Sequence, residues 1–297
     1  MQESTDGIAG NNQFVVDLLT TLREQRFSPP GWWGFIVRSW EMSCQTANVN
    51  PTLKRSWLNT TIFIALLAIA TLLASGAFEG WGILFHLLPG FLFCVIWQQS
   101  DLFWHLGLNR QAHSTGLLQS VGLANTFTLL RGLAASLLLG RLVGGVTTPS
   151  LLALAIFLFG VATDILDGLV ARSTRTQSKL GQIMDGEADF CLYLALTFIL
   201  IQNAILPLWL GIVMLLRFTL PLLAALTSYF LLAQPVRFGS TIWGKYAGLA
   251  QCLYFLVLLA PPQLSPLTRL LDLPLLMATL FLLIAAPVAQ IIANRRM

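Results

Sequence analysis

Residues 164–189 read DILDGLVARSTRTQSKLGQIMDGEAD and hold five of the chain's 13 acidic residues, Asp164, Asp167, Asp185, Glu187 and Asp189. Long apolar runs flank the stretch on both sides. A carboxylate at membrane depth is costly unless it is paired, hydrated or functional. The stretch therefore raises two questions: whether the chain crosses a membrane, and what brings acid into it.

Composition answers the first. Of 297 residues, 56% are hydrophobic and only 10% charged, outside the range of ordinary soluble domains. Eight apolar spans follow from Thr60 onward, at 60–78, 81–97, 118–140, 149–171, 181–202, 205–232, 245–261 and 272–293. Each is close to the ~20 residues that a helix needs to cross the hydrocarbon. The fold class is an all-α polytopic membrane protein. Membrane lipids are its surroundings, and nucleic acid is not expected as a partner.

The first sixty residues place polar and acidic positions ahead of any long apolar run, so no cleavable signal peptide is expected. Residues 1–12 read as a polar start, and 13–27 have helical periodicity. Ser28-Pro29-Pro30 breaks that helix. The following GWWGFIVRSW suits either the membrane interface or a surface helix on the bundle. The four cysteines are widely spaced and read as small apolar residues rather than a disulfide or metal framework. His86, His105 and His113 share no spacing and read as interfacial or packing residues.

With the amino terminus in the cytoplasm, Lys54, Arg55, Arg110, Arg172, Arg175, Lys179, Arg237, Lys245, Arg295 and Arg296 fall on one side, and Arg141 and Arg269 on the other. Such asymmetry is the cytoplasmic enrichment of positive residues. It places the acidic stretch at the cytoplasmic ends of the fourth and fifth spans, with the cell inner membrane as the expected location.

Helical spacing then organises the acid. Asp164, Asp167, Gly168 and Ala171 make one stripe of the fourth span, and Gly181, Asp185 and Asp189 make one stripe of the fifth. The polar turn between them makes the two helices antiparallel neighbours, so the stripes can face each other. Four carboxylates in a partly desolvated space repel unless something positive sits among them. All-oxygen ligation points to Mg²⁺ or Mn²⁺, with two ions able to share Asp164, Asp167, Asp185 and Asp189. Gly168 and Ala171 lack bulk and allow a phosphate close to the backbone, while Arg172 offers bidentate hydrogen bonds to it. Glu187 lies off the stripe. The competing structural reading pairs the aspartates with Arg172, Arg175 and Lys179, but four aligned carboxylates exceed what helix-end pairing needs.

The spacing Dx2DGx2ARx8Gx3Dx3D, filled here by Asp164, Asp167, Gly168, Ala171, Arg172, Gly181, Asp185 and Asp189, resembles the signature of the CDP-alcohol phosphotransferase family. The resemblance implies a six-helix catalytic bundle at 115–297 and a dinuclear metal site. It also implies a CDP-linked donor such as CDP-diacylglycerol, a polar alcohol acceptor, and release of CMP in phospholipid biosynthesis. It makes Asp189 the general base as well as a ligand, and it puts Gly168, Arg172 and Ser178 at the nucleotide or its diphosphate. Asn125, Thr128 and Arg131, on one face of the third span, are similar to the family's nucleotide-lining first helix. Gly244, Lys245 and Gln251 match part of a GKxKTxxQ stretch of the glycerol-phosphate branch. Ala247 and Gly248 depart from it, and Arg217 is a further candidate for an anionic group. Residues 1–58 form an interfacial segment, and 59–114 two accessory spans whose role as a homodimer contact, lipid-access wall or lid stays open.

Two other readings compete. An intramembrane prenyltransferase would release pyrophosphate from an isoprenyl diphosphate. A cation transporter would show metal flux without nucleotide turnover, from broken helices at mid-membrane.

Overall fold

The computed structural model describes residues 17–111, 116–232 and 242–295. The polar start at 1–12, His113, Arg237 and Arg296 lie outside them.

Every expected span is a helix. After α1, helical over 17–24, come α2 (Pro29–Val49), α3 (Pro51–Glu79), α4 (Ile83–Trp104), α5 (Gly122–Val143), α6 (Ser150–Ser173), α7 (Lys179–Gln202), α8 (Leu208–Leu232), α9 (Ile242–Leu259) and α10 (Ser265–Arg295). Six of these, α3 to α6 together with α9 and the region Pro262–Ala286, are long and apolar enough to cross a membrane. The chain is an integral membrane protein. α7 carries the acidic stripe, and the apolar part of α8 is the shorter Leu208–Leu223.

Local chemistry sets the boundaries. Ser28 caps α2, its hydroxyl accepting from the Gly31 N–H at 3.3 Å, and Pro29 and Pro30 occupy the first turn, where a missing N–H has no cost. α3 begins at Pro51, well before the apolar run, so Lys54, Arg55 and Trp57 lie on its first turns. The Trp-rich α2 packs on the bundle, which fits the second of the two readings. Trp40 packs against Phe103 and Trp104, Trp32 meets Phe230, and Trp33 remains 69% exposed. The Ser43 hydroxyl donates to the Trp104 carbonyl at 2.6 Å, fixing α2 to the end of α4.

α5 is the axis. Asn125, Thr128, Leu129, Arg131, Leu133, Ala135, Leu138 and Arg141 are all buried along it. The accessory α4 crosses it where a Cβ on Gly90 would lie 3.1 Å from the Gly140 Cα, so small residues set the approach, as is common between membrane helices. α6 and α7 both lie along α5 and touch each other only lightly. The acidic stripes therefore face one another across α5 rather than through a tight α6–α7 pair, because the α5 side chains fill the space between them. Away from the acid, Leu138, Phe157, Leu196, Met214 and Phe255 join α5 to α9 in one apolar core.

Candidate active site

The Arg131 guanidinium, fully buried on α5, occupies the point toward which both acidic stripes are directed. Nη1 donates to Asp164 Oδ1 at 2.9 Å and to Asp189 Oδ1; Nη2 donates to Asp185 Oδ1 at 2.8 Å and to Asp167 Oδ2. Thr128, one turn earlier, donates to the same Asp167 oxygen at 2.9 Å. One guanidinium thus serves four carboxylates, which leaves them short of positive partners within the protein. The sequence reading placed Arg131 on a nucleotide-lining wall. Its position as the shared partner of all four aspartates depends on α5 lying between α6 and α7, which spacing along the chain does not reveal.

The four carboxylates are not equivalent. Asp164, Asp185 and Asp189 each offer an oxygen within 4.8 Å of the others and could hold a metal ion. Their side chains remain 51%, 44% and 33% exposed, whereas Asp167, turned to Thr128 and Arg131, is 11% exposed. The donor set is all oxygen and short of positive charge, which fits a hard divalent cation.

Beside the cluster lies a cavity of ≈220 Å³. Asn125, Thr128, Gly168, Ala171, Ser178 and Gly181 line it together with Asp167 and Asp185, and Ala124, Thr176, Gln177 and Gln182 complete the wall. Some of these positions also serve the fold. The Ser178 hydroxyl accepts from the Gly181 N–H at 3.1 Å and caps α7. A Cβ on Gly181 would lie 2.8 Å from Asn125 Oδ1, so that glycine permits α7 to approach α5. The exposed Arg172 folds back over Gly168, whose added Cβ would be 3.1 Å from its Nη1.

A second polar group stands on α8 and α9. Arg217 Nη1 donates to Gln251 Oε1 at 3.1 Å, and its guanidinium carbon lies 4.8 Å from the Phe218 ring centroid. A Cβ on Gly248 would lie 2.5 Å from Arg217 Nη2, so the departure from the glycerol-phosphate pattern makes room for this guanidinium. Gln251 is fully buried and its Nε2 has no partner. Lys245 is exposed at the start of α9. Glu187 is not one of the metal-capable trio, and Asp101 of α4 pairs with His105 at 3.0 Å.

A sequence model of the CDP-alcohol phosphatidyltransferases matches residues 121–290. The chain belongs to that family. It is therefore an enzyme, a transferase of phosphorus-containing groups, and its family chemistry is phosphatidyl transfer from a CDP-alcohol in lipid synthesis. Neither the curated proteins nor the solved structures searched gave a match. Family membership favours the CDP-alcohol reading over the prenyltransferase and the transporter. The matched region runs from the start of α5 into α10 and leaves α2, α3 and α4 outside it.

Proposed function

We propose that the enzyme transfers a phosphatidyl group from CDP-diacylglycerol to a polar alcohol and releases CMP, at the cytoplasmic face of the cell inner membrane. One observation carries this reading: the signature carboxylates gather on a single guanidinium beside a cavity lined by the rest of the signature. Residues 115–297 are the proposed catalytic unit, 59–114 an accessory pair with its connection, and 1–58 an interfacial segment. The family match beginning at 121 supports that division.

Asp164, Asp185 and Asp189 would hold a divalent ion, with Asp167 available to a second. Mg²⁺ or Mn²⁺ there would supply neutralisation of the donor's diphosphate. Asn125, Gly168, Ala171, Arg172, Ser178 and Gly181 form the nucleotide side. Thr128 and Arg131 keep Asp167 and the remaining carboxylates turned inward. Asp189 takes the proton of the acceptor hydroxyl while that oxygen bonds to the phosphorus next to the diacylglycerol. The bond from this phosphorus to the bridging oxygen breaks, and its electron pair leaves with CMP. Arg217 and the unpartnered Gln251 Nε2, on α8 and α9, are suited to an anionic acceptor.

The test is CMP release by the purified protein with CDP-diacylglycerol, Mg²⁺ or Mn²⁺ and a panel of polar alcohols, with and without a phosphate. Divalent-dependent CMP formation with at least one acceptor is expected. Pyrophosphate release from an isoprenyl diphosphate with no CMP from any donor would overturn the proposal.

A further inference from the structure

The turn between α6 and α7 carries Thr176, Gln177 and Ser178 into the cavity wall, and it is held from outside the family-matched region. α6 ends with the Thr176 N–H donating to the Ala171 carbonyl at 3.0 Å and the Arg175 N–H to the Arg172 carbonyl at 3.3 Å. This pair of bonds places the intervening residue in the left-handed region, where glycine is the usual occupant. Here it is Arg175, at φ 54°. An L side chain disfavours that conformation, so the turn depends on contacts that hold it.

Those contacts come from the connector after α4. The Gln111 side-chain Nε2 donates to the Arg175 carbonyl at 2.8 Å, and the Gln111 backbone forms an antiparallel bridge with Ser178. The connector is itself anchored. Asn109 is fully buried, its Nδ2 donates to the Ser120 carbonyl at 2.8 Å, and its carbonyl accepts from the Leu118 N–H at 2.8 Å. The Val121 N–H donates to the Ser56 hydroxyl of α3 at 3.0 Å. The accessory helices are thus joined, through Asn109 and Gln111 of the connector, to the strained turn in the cavity wall.

We infer that Gln111 is a positioning residue for the donor: by holding the carbonyl of Arg175 it keeps 176–178 in the conformation that receives the nucleotide. The inference rests on the proposed reading of the cavity as the donor site. It gives residues 59–114 a role in donor affinity rather than in chemistry.

The test combines steady-state CMP release with hydrogen exchange over 174–178. Gln111→Ala is expected to raise the donor KM about fivefold, the effect of one net hydrogen bond. Its kcat stays within about twofold, since the turn acts on binding and not on the reacting atoms. Exchange at the Thr176 N–H should quicken in the same variant. Adding Arg175→Gly should return both readouts toward the native values, because glycine holds the left-handed turn without the outside contact. An unchanged donor KM in Gln111→Ala, or no recovery on adding Arg175→Gly, overturns the inference. The exchange arm needs no donor. If the native protein releases no CMP, the functional reading fails, and exchange alone still decides whether Gln111 holds the turn.

Discussion

Arg131 and Arg141 stand on the same helix, both buried, and their surroundings are opposite in kind. Arg141 is complete. Its two terminal nitrogens meet Glu79 at 2.6 and 3.0 Å, Nη2 also donates to the Thr147 carbonyl at 2.6 Å, and Nε donates to the Thr148 hydroxyl at 3.3 Å. Arg131 meets four carboxylates, its Nε has no partner, and a cavity opens beside it. A balanced pair has reached its final state. A cluster in which one guanidinium faces four carboxylates still offers oxygen ligands to a further cation. The same residue type on one helix thus makes a structural fastening at one end and the centre of the candidate site at the other.

The largest effect that tests this contrast is at Asp189. Asp189→Asn removes the proposed base and should lower CMP release about 10³-fold while divalent binding is only partly weakened. Retained turnover would sink the assignment. Metal gives a second, thermodynamic readout. A divalent ion at about 100 times its Kd should stabilise the native protein by about 2.7 kcal/mol, seen as a rise in Tm, and chelation should stop turnover. The double variant Asp164→Asn, Asp185→Asn should lose the Tm response. A response that persists would place the ion elsewhere.

At the other end the expected readout is stability alone. Glu79→Ala strands the buried Arg141 cation and should cost about 2 kcal/mol, below the usual range for a fully buried pair because the Glu79 side chain is 34% exposed. The double change Glu79→Met, Arg141→Met should recover most of the loss, with kcat close to native in both. A selective loss of kcat with unchanged Tm would mean that the two ends are not separate in function.

Hydropathy made the helices legible, because apolar runs of membrane length have few alternatives once no soluble domain fits between them. Spacing made the two acidic stripes legible, since residues three and four apart share a helix face. The start of α3 at Pro51 was not legible from hydropathy, because Lys54 and Arg55 belong to helical turns outside the apolar run. Nor was the role of Arg131. The Asn125, Thr128, Arg131 spacing put it on a polar face, but only the packing of α6 and α7 against α5 brings four carboxylates to it. Gly248 read as a mismatch to a subgroup pattern. Its meaning is steric and appears only when α8 lies beside α9.

The smallest predicted effect sharpens that last point. Gly248→Ala would put a methyl group 2.5 Å from Arg217 Nη2, and a flexible side chain can move aside, so stability should change by less than about 1 kcal/mol. The displaced guanidinium would then present its charge from a different place. If Arg217 receives an anionic acceptor, the acceptor KM should rise about threefold while the donor KM holds, because a bidentate fork loses alignment before it loses charge. Arg217→Lys should act in the same direction, keeping the charge and losing the fork. Should both variants leave the acceptor KM at its native value, Arg217 is a packing cation held by Gln251 and the Phe218 ring, and acceptor recognition lies elsewhere in the bundle.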